Sequence, residues 1–231
     1  MKTSVNNLQI LFEDNHLLIV NKRAGDLVQG DRTGDAPLAE IIKDYIKKRD
    51  QKPGNVYLGV VHRIDRPTSG IVVFAKTSKA LSRLNKAFAE KEPNKTYWAV
   101  VKQQPPKEED QLTHFLLRNQ KQNKSYAHDK EVPNSKKALL NYKIIKELNN
   151  YYLLEIDLET GRHHQIRAQL AKIGCPIKGD LKYGFNRSNK DGSIHLHARK
   201  IELIHPVRQG KLSIEADVNL EDSIWKACES N

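Results

Sequence analysis

The chain is 231 residues long, enough to bury a sizeable core as one domain or as two closely fused lobes. Hydrophobic residues at 38% and charged residues at 29% argue against a membrane-spanning chain, because no segment approaches the run of about 18 apolar residues that a span needs. Two cysteines without C-x-x-C spacing make a disulfide framework or a thiolate zinc site a poor reading. The formal charge of +11 attracts polyanions through phosphate contacts and counterion release, with plain solubility as the competing reading.

Residues 1–7 contain no apolar stretch of signal-peptide length, so a cytoplasmic location is expected. Leu8–Phe12 and Leu17–Asn21 read as short strands joined at a Glu-Asp-Asn break, and Gly25–Asp35 as loop. Pro37 opens a helix with Leu38, Ile41, Ile42, Tyr45 and Ile46 at helical spacing, ending near Arg49. After a loop at Lys52–Asn55 comes Val61–Gly70, followed by an apolar, β-branched run to Lys76. Ser78 is the expected N-cap of a helix reaching Glu90, and Lys95–Val101 and Leu112–Leu117 read as strands. Arg118–Lys137 is polar and basic, a mobile hairpin or polyanion-facing loop, and the weakest-structured region expected. Leu139–Leu148 and Tyr151–Leu158 form a hairpin across Asn149-Asn150, and a helix is expected from about His163 to Ile173, stopped at Gly174. Ile194–Ile204 and Leu212–Ala216 read as strands, and Ser223–Cys228 as a final helix. Strands joined mostly by hairpins point to α+β, with a mixed, mostly antiparallel central sheet flanked by helices and loops.

Chemistry concentrates in Val61-His62-Arg63-Ile64-Asp65-Arg66-Pro67-Thr68-Ser69-Gly70. One acid stands among two arginines and a histidine. An aspartate titrates near 3.9 in water, and neighbouring guanidinium groups keep such a carboxylate ionised in a drier pocket. That state suits a nucleophile or a base. By charge pattern alone, a surface ion-pair cluster ahead of a buried strand is the commoner arrangement. Leu158–Arg167 contains Thr160-Gly161-Arg162-His163-His164-Gln165-Ile166-Arg167, and Gly174–Gly184 follows with Gly-Cys-Pro-Ile-Lys-Gly-Asp-Leu-Lys-Tyr-Gly. The polar residues of the first block could bind phosphate at a helix start.

These stretches resemble the signatures of the RluA family of RNA pseudouridine synthases: His-Arg-Leu-Asp-Arg-x-Thr-Ser-Gly, Thr-Gly-Arg-x-His-Gln-Ile-Arg, and Gly-x-Pro-Ile-x-Gly-Asp-x-x-Tyr-Gly. Lys95-Thr96-Tyr97-Trp98-Ala99 is similar to the family's Lys-x-Tyr-x-Ala, and His195-Leu196-His197-Ala198 with His205-Pro206 to its Leu-His-Ala and His-Pro elements. Leu18–Gly25 resembles the opening strand, with Arg23 replacing a common proline, and His163 stands where Thr or Ser is usual. The resemblance spans roughly residues 10 to 216.

The resemblance implies a pseudouridine synthase fold with a central cleft, a single catalytic domain over residues 1–231, and no added N-terminal RNA-binding domain. It implies Asp65, Tyr97 and Arg167 as catalytic residues: Asp65 starting the reaction, Tyr97 stacking on uracil, and Arg167 pairing with Asp65. His62, Arg63, Arg66, Arg162, His164 and Gln165 are implied in RNA binding, with Arg63 placed to enter the space left by a flipped nucleotide. Three first steps stay open for Asp65: attack on C1′, addition to the uracil ring, or removal of a sugar proton. The reaction needs neither redox change nor hydrolysis, so no cofactor and no metal are implied. The expected partner is structured RNA, rRNA or tRNA, with the Arg66-Pro67 variant leaning towards tRNA; no membrane partner is expected, and the protein is expected to be a monomer. A non-catalytic RNA-binding or ribosome-assembly protein is the rival reading. A metal nuclease using His163, His164, His195 and His197 is a weaker one, and packing is the commoner role of the His195–His197 pair.

Overall fold

The computed structural model describes residues 2–30 and 34–230. Asp31, Arg32 and Thr33, inside the loop expected over Gly25–Asp35, lie outside the described residues. The described residues form two compact units, one drawn from Met1–Pro93 and Ala198–Asp217, the other from Asn94–His197 and Val218–Asn231. The class is the α+β one expected, with mostly antiparallel strands.

The first unit contains β1 (Ile10–Glu13), β2 (Leu17–Lys22), helix α1 (Leu38–Arg49), β3 (Gly59–Val60), β4 (Ser69–Ala75) and helix α2 (Ser78–Ala89). β1 pairs with β2, β2 with β4 and β3 with β4, all antiparallel. Alternate residues of β2 and β4, namely Leu18, Val20, Val72 and Phe74, pack with Leu38, Ile42 and Ile46 of α1. The opposite residues, Leu17, Ile19, Ile71 and Val73, are equally buried, which is why these strands read as continuous apolar runs. α2 starts one residue beyond its cap: Thr77, not Ser78, is the N-cap, its hydroxyl accepting from the Ala80 N–H at 3.2 Å. Either hydroxyl can cap, and here the extended backbone falls at Thr77.

The second unit holds β5 (Asn94–Val101), β6 (Glu109–Asn119), β7 (Lys124–His128), β8 (Lys136–Leu148) and β9 (Tyr151–Leu158), in the antiparallel order β5-β9-β8-β6-β7. Leu148 faces Tyr151, so Asn149 and Asn150 make the two-residue turn expected. Helix α3 (Gln165–Lys172) buries Ile166 and Leu170 against Ala99, Val101, Leu140 and Ile156. Helix α4 (Ser223–Glu229) buries Trp225 and Cys228 on the other side of β5 and β9, against Val100 and Leu153. β10 (Leu196–Ile204) begins in this unit and continues into the first, where β11 (Lys211–Glu215) pairs with it antiparallel.

Two further expectations need correction. Arg118–Lys137 does hold a hairpin, β7 paired with β6 from Phe115↔His128 to Asn119↔Lys124, but not the weakest structure expected, because this pairing supplies the hydrogen bonds that its polar composition does not advertise. α3 starts at Gln165 and not His163, because His164 has φ 54°, a left-handed conformation that a helix does not continue through.

Gly70 shows how closely β4 is held. It has φ +112°, and a Cβ added there would sit 2.5 Å from the Ala198 backbone N and closer still to its carbonyl. Gly70→Ala is expected to cost at least about 1–3 kcal/mol from the backbone conformation alone, read as a fall in the urea midpoint of unfolding, with the clash against β10 adding to it.

Candidate active site

His62, Arg63, Asp65 and Arg66 lie in the first unit; Tyr97, Arg162, His164, Gln165 and Arg167 lie in the second. In the first, residues 61–68 link β3 to β4. His62 Nε2 accepts the Val73 N–H at 3.1 Å, and its ring stacks on Phe88 with centroids 4.9 Å apart. Ile64 packs against the α1 core while Arg63 is exposed, so alternation turns the arginine outward. The Thr68 N–H donates to the Asp65 carbonyl at 3.1 Å, closing the turn that presents the half-buried Asp65.

That turn is fastened to the end of β2. The Gly25 N–H donates to the Arg66 carbonyl at 2.8 Å, and Arg66 Nε returns a bond to the Gly25 carbonyl at 3.1 Å. Arg66 also meets Asp35 at 2.5 Å. Beneath them lies Lys22, 1% exposed. Its ammonium donates to the carbonyls of Arg23 and Asp26, each at 2.9 Å, and of Arg66 at 3.2 Å. Three acceptors match the three donors of a charged lysine. Burial pulls this group down to about 7, against the opposing fields of Asp26 and Asp65. Lys22 is thus the brace of the Asp65 turn. The sequence alone assigns it no role; the available signal is a lysine closing, after Asn21, a strand that opens with four apolar residues.

In the second unit, Tyr97 is half-buried on β5, opposite Ile156 of β9 and packed on the core beneath α3. The Thr160–Gln165 loop closes through Gln165, which is 3% exposed. Its Oε1 accepts from the Thr160 hydroxyl at 2.7 Å and the Arg162 N–H at 3.0 Å, and its Nε2 donates to the Leu139 carbonyl at 2.9 Å. These bonds make Gln165 part of the loop's framework. Arg162 is exposed, with Nε on the Lys137 carbonyl at 3.2 Å.

Arg167, 5% exposed, is held by Asp180, 1% exposed, through Nε at 2.7 Å and Nη2 at 2.9 Å. The Tyr183 ring lies under this guanidinium at 5.0 Å and under the Lys124 ammonium at 5.1 Å. Tyr183 Oη accepts the Ser125 N–H at 2.8 Å and meets His164 Nδ1 at 3.0 Å. His163 stacks on His164 at 3.8 Å and reaches Ser125 Oγ at 2.9 Å and Asn123 Oδ1 at 3.1 Å. The basic β6–β7 hairpin is therefore tied to the Arg162 loop. Asp180 and Tyr183 are further residues of this unit to which the sequence alone assigns no role, and His163, a metal ligand only in the nuclease reading, stacks and hydrogen-bonds within the loop. His195 sits between Asn189 and Asp222 and against the Trp225 ring, a packing role.

Comparison with known proteins shows the family and the fold. A family model described as RNA pseudouridylate synthase matches residues 16–172. Ribosomal large subunit pseudouridine synthase C of Buchnera aphidicola subsp. Acyrthosiphon pisum is 34% identical over 222 residues, covering 92% of this chain and 68% of that protein. tRNA pseudouridine synthase C of Vibrio vulnificus is 31% identical, covering 95% and 93%. The solved structure of human RNA Pseudouridylate Synthase Domain Containing 4 superposes with a TM-score of 0.75 at 22% identity, over 91% of this chain and 88% of that one, a likeness of fold. The chain belongs to the RNA pseudouridylate synthase family. It is an RNA pseudouridine synthase, an isomerase that re-attaches uracil to its ribose through carbon.

Proposed function

We propose that this enzyme isomerises specific uridines in structured rRNA or tRNA, with Asp65 as the catalytic carboxylate. The reaction breaks the N1–C1′ bond, forms C5–C1′, and replaces the hydrogen on C5 with one on N1, so atoms balance without a co-reactant. The observation that carries the reading is the braced Asp65 turn within the signature, inside a chain of this family. Tyr97 offers a flat ring to a uracil taken out of its stack. Arg167, fixed by Asp180, supplies the counter-charge to Asp65. Exposed Arg63 enters the space left by the flipped nucleotide. Arg66, Arg162 and His164 contact the RNA, with His62 and Gln165 holding the loops that present them.

The substrate class is read by incubating the protein separately with unmodified rRNA and tRNA transcripts and mapping pseudouridine by chemical derivatisation and primer extension. Defined stops in one class name the substrate; modification of neither would overturn the reading. Tyr97→Phe keeps the stacking surface and loses the hydroxyl. If that hydroxyl moves a proton, turnover is expected to fall by about 10²–10⁴-fold with RNA binding retained. Unchanged turnover would confine Tyr97 to stacking.

A further inference from the structure

A groove of about 780 Å³ in the second unit takes no part in the site described above. Its walls are Lys102 beyond β5, Tyr151 at the start of β9, Lys178, the 184–191 loop and residues 219–224 leading into α4. It lies on the α4 side: Tyr151 and Ile224 pack with Val100 and Trp225, whereas Tyr97 packs with the α3 core. Alternation along β5 thus puts the groove on the face opposite Tyr97.

The groove is polar and firmly built. The Lys178 N–H donates to the Val100 carbonyl at 2.9 Å, and the Lys178 carbonyl accepts from the His195 N–H at 2.9 Å. The Lys178 ammonium donates to Asn189 Oδ1, a neutral group, at 2.6 Å. Asn189 Nδ2 reaches Ser193 Oγ and His195 Nδ1, each at 3.0 Å. With Nδ1 accepting, the His195 proton sits on Nε2 and is donated to Asp222 Oδ1 at 3.1 Å. Asp222 also caps α4 through the Ile224 and Trp225 N–H groups. Burial would raise the Asp222 carboxyl, but the His195 bond and these N–H groups outweigh it and hold it at about 2. Asp191 accepts from the Ser193 N–H and hydroxyl.

Asp191 and Asp222 are held in place by neutral donors and stay charged, so with Glu221 the lining keeps three carboxylates. Among the described residues, the side chains of Lys102, Arg187 and Lys190 make no hydrogen bond or ion pair. Together with Lys178 they make four cations against these three carboxylates, a net surplus of one positive charge, beside the rings of Tyr151 and Phe185. Phosphates neutralise such cations and bases pack on such rings.

We propose that this groove is a second RNA-binding site, holding phosphodiester backbone of the substrate at a distance from the target uridine. The proposal rests on the RNA-modifying function and extends it: a large folded RNA engages both faces of the unit, a short one only the Tyr97 face. RNA is the favoured occupant because it is the polyanion this enzyme must already bind; a free nucleotide carries the same phosphate chemistry.

The test pairs Arg187→Ala/Lys190→Ala with a control, Lys47→Ala/Lys48→Ala, which removes equal charge from the exposed end of α1. Affinity is measured against salt for a full-length RNA that the wild type modifies and for a short stem-loop carrying the same uridine. For the full-length RNA, the slope of log K against log salt is expected to shallow by about 1.4–1.8 in the groove variant, 0.7–0.9 per lost contact, with KM raised. The stem-loop should bind wild type and groove variant alike, and the control should match wild type throughout. An unchanged slope and KM on full-length RNA would overturn the proposal, as would equal losses on both RNAs, which would place these residues at the target site. Uridine monophosphate binding that disappears in the groove variant while the RNA slope stays fixed would assign the groove to a free nucleotide instead. Because the slopes need no turnover, failure of the isomerase reading would show separately, as a wild type that forms no pseudouridine.

Discussion

Asp65→Asn is expected to lower pseudouridine formation by at least about 10²–10⁴-fold, the range over which a positioned acid or base acts, while the protein still folds and binds RNA. The side chains are nearly equal in size, so the substitution removes charge rather than bulk. The turn is held by groups other than this carboxylate: the Thr68 N–H meets the Asp65 main-chain carbonyl, Gly25 and Lys22 hold the Arg66 carbonyl, and His62 anchors to Val73. Affinity for RNA comes mainly from cations meeting phosphates, which the substitution leaves in place. Nuclease digestion and chromatography of the nucleosides report product, and filter binding reports affinity. Turnover retained in the variant would remove Asp65 from the chemistry. Binding lost together with turnover would instead make it a structural residue.

The largest expected loss of stability is at Arg167. Arg167→Ala leaves the carboxylate of Asp180 buried and deprived of its bidentate partner. Breaking a buried pair in this way costs about 3–5 kcal/mol, or roughly 6–20 °C in Tm for a chain of this size. Arg167→Lys should recover little, because one ammonium does not reproduce two parallel N–H donors or the stacking on Tyr183. Arg167→Met/Asp180→Leu, which removes both charges together, should regain much of the stability and none of the activity. Thermal unfolding followed beside turnover separates the two roles. A stable but inactive Arg167→Ala would deny the pair its structural share, and an unstable but fully active one would deny Arg167 its place in catalysis.

Local pattern made much of the fold legible, and the departures trace to tertiary contacts. α1 followed from Leu38, Ile42 and Ile46 at helical spacing, and the β8–β9 hairpin from Asn149-Asn150 between two strand-like runs. The Arg118–Lys137 hairpin was legible only as one of two alternatives, because Lys124, Tyr126 and His128 carry no apolar alternation; β7 is regular because β6 pairs with it and Tyr183 receives the Ser125 N–H. The start of α3 moved because the backbone turns left-handed at His164, where His163 and Tyr183 hold the ring, a constraint invisible to propensity.

At the site, the signatures brought Asp65, Tyr97 and Arg167 to notice because their residue types and spacing follow the chemistry. Their supports were harder to read. Lys22 acts across 44 positions on the Arg66 carbonyl, and Asp180 across 13 on Arg167. Neither distance carries a periodic signal, and a buried charge declares its partner only once the chain has folded. Gln165 shows the reverse: a polar residue at a helix start suggests a ligand contact, yet here its amide is spent on the loop it begins.

The most direct test of the account is release of tritium from C5-tritiated uridine in full-length RNA, with wild type and Asp65→Asn run in parallel. Forming the C5–C1′ bond must expel the hydrogen on C5, so release counts completed isomerisations without regard to how Asp65 begins them. The account predicts release by wild type, at the stoichiometry of the mapped uridines, and none above background by the variant. Equal release by both, or none by a wild type that binds the RNA, would contradict it.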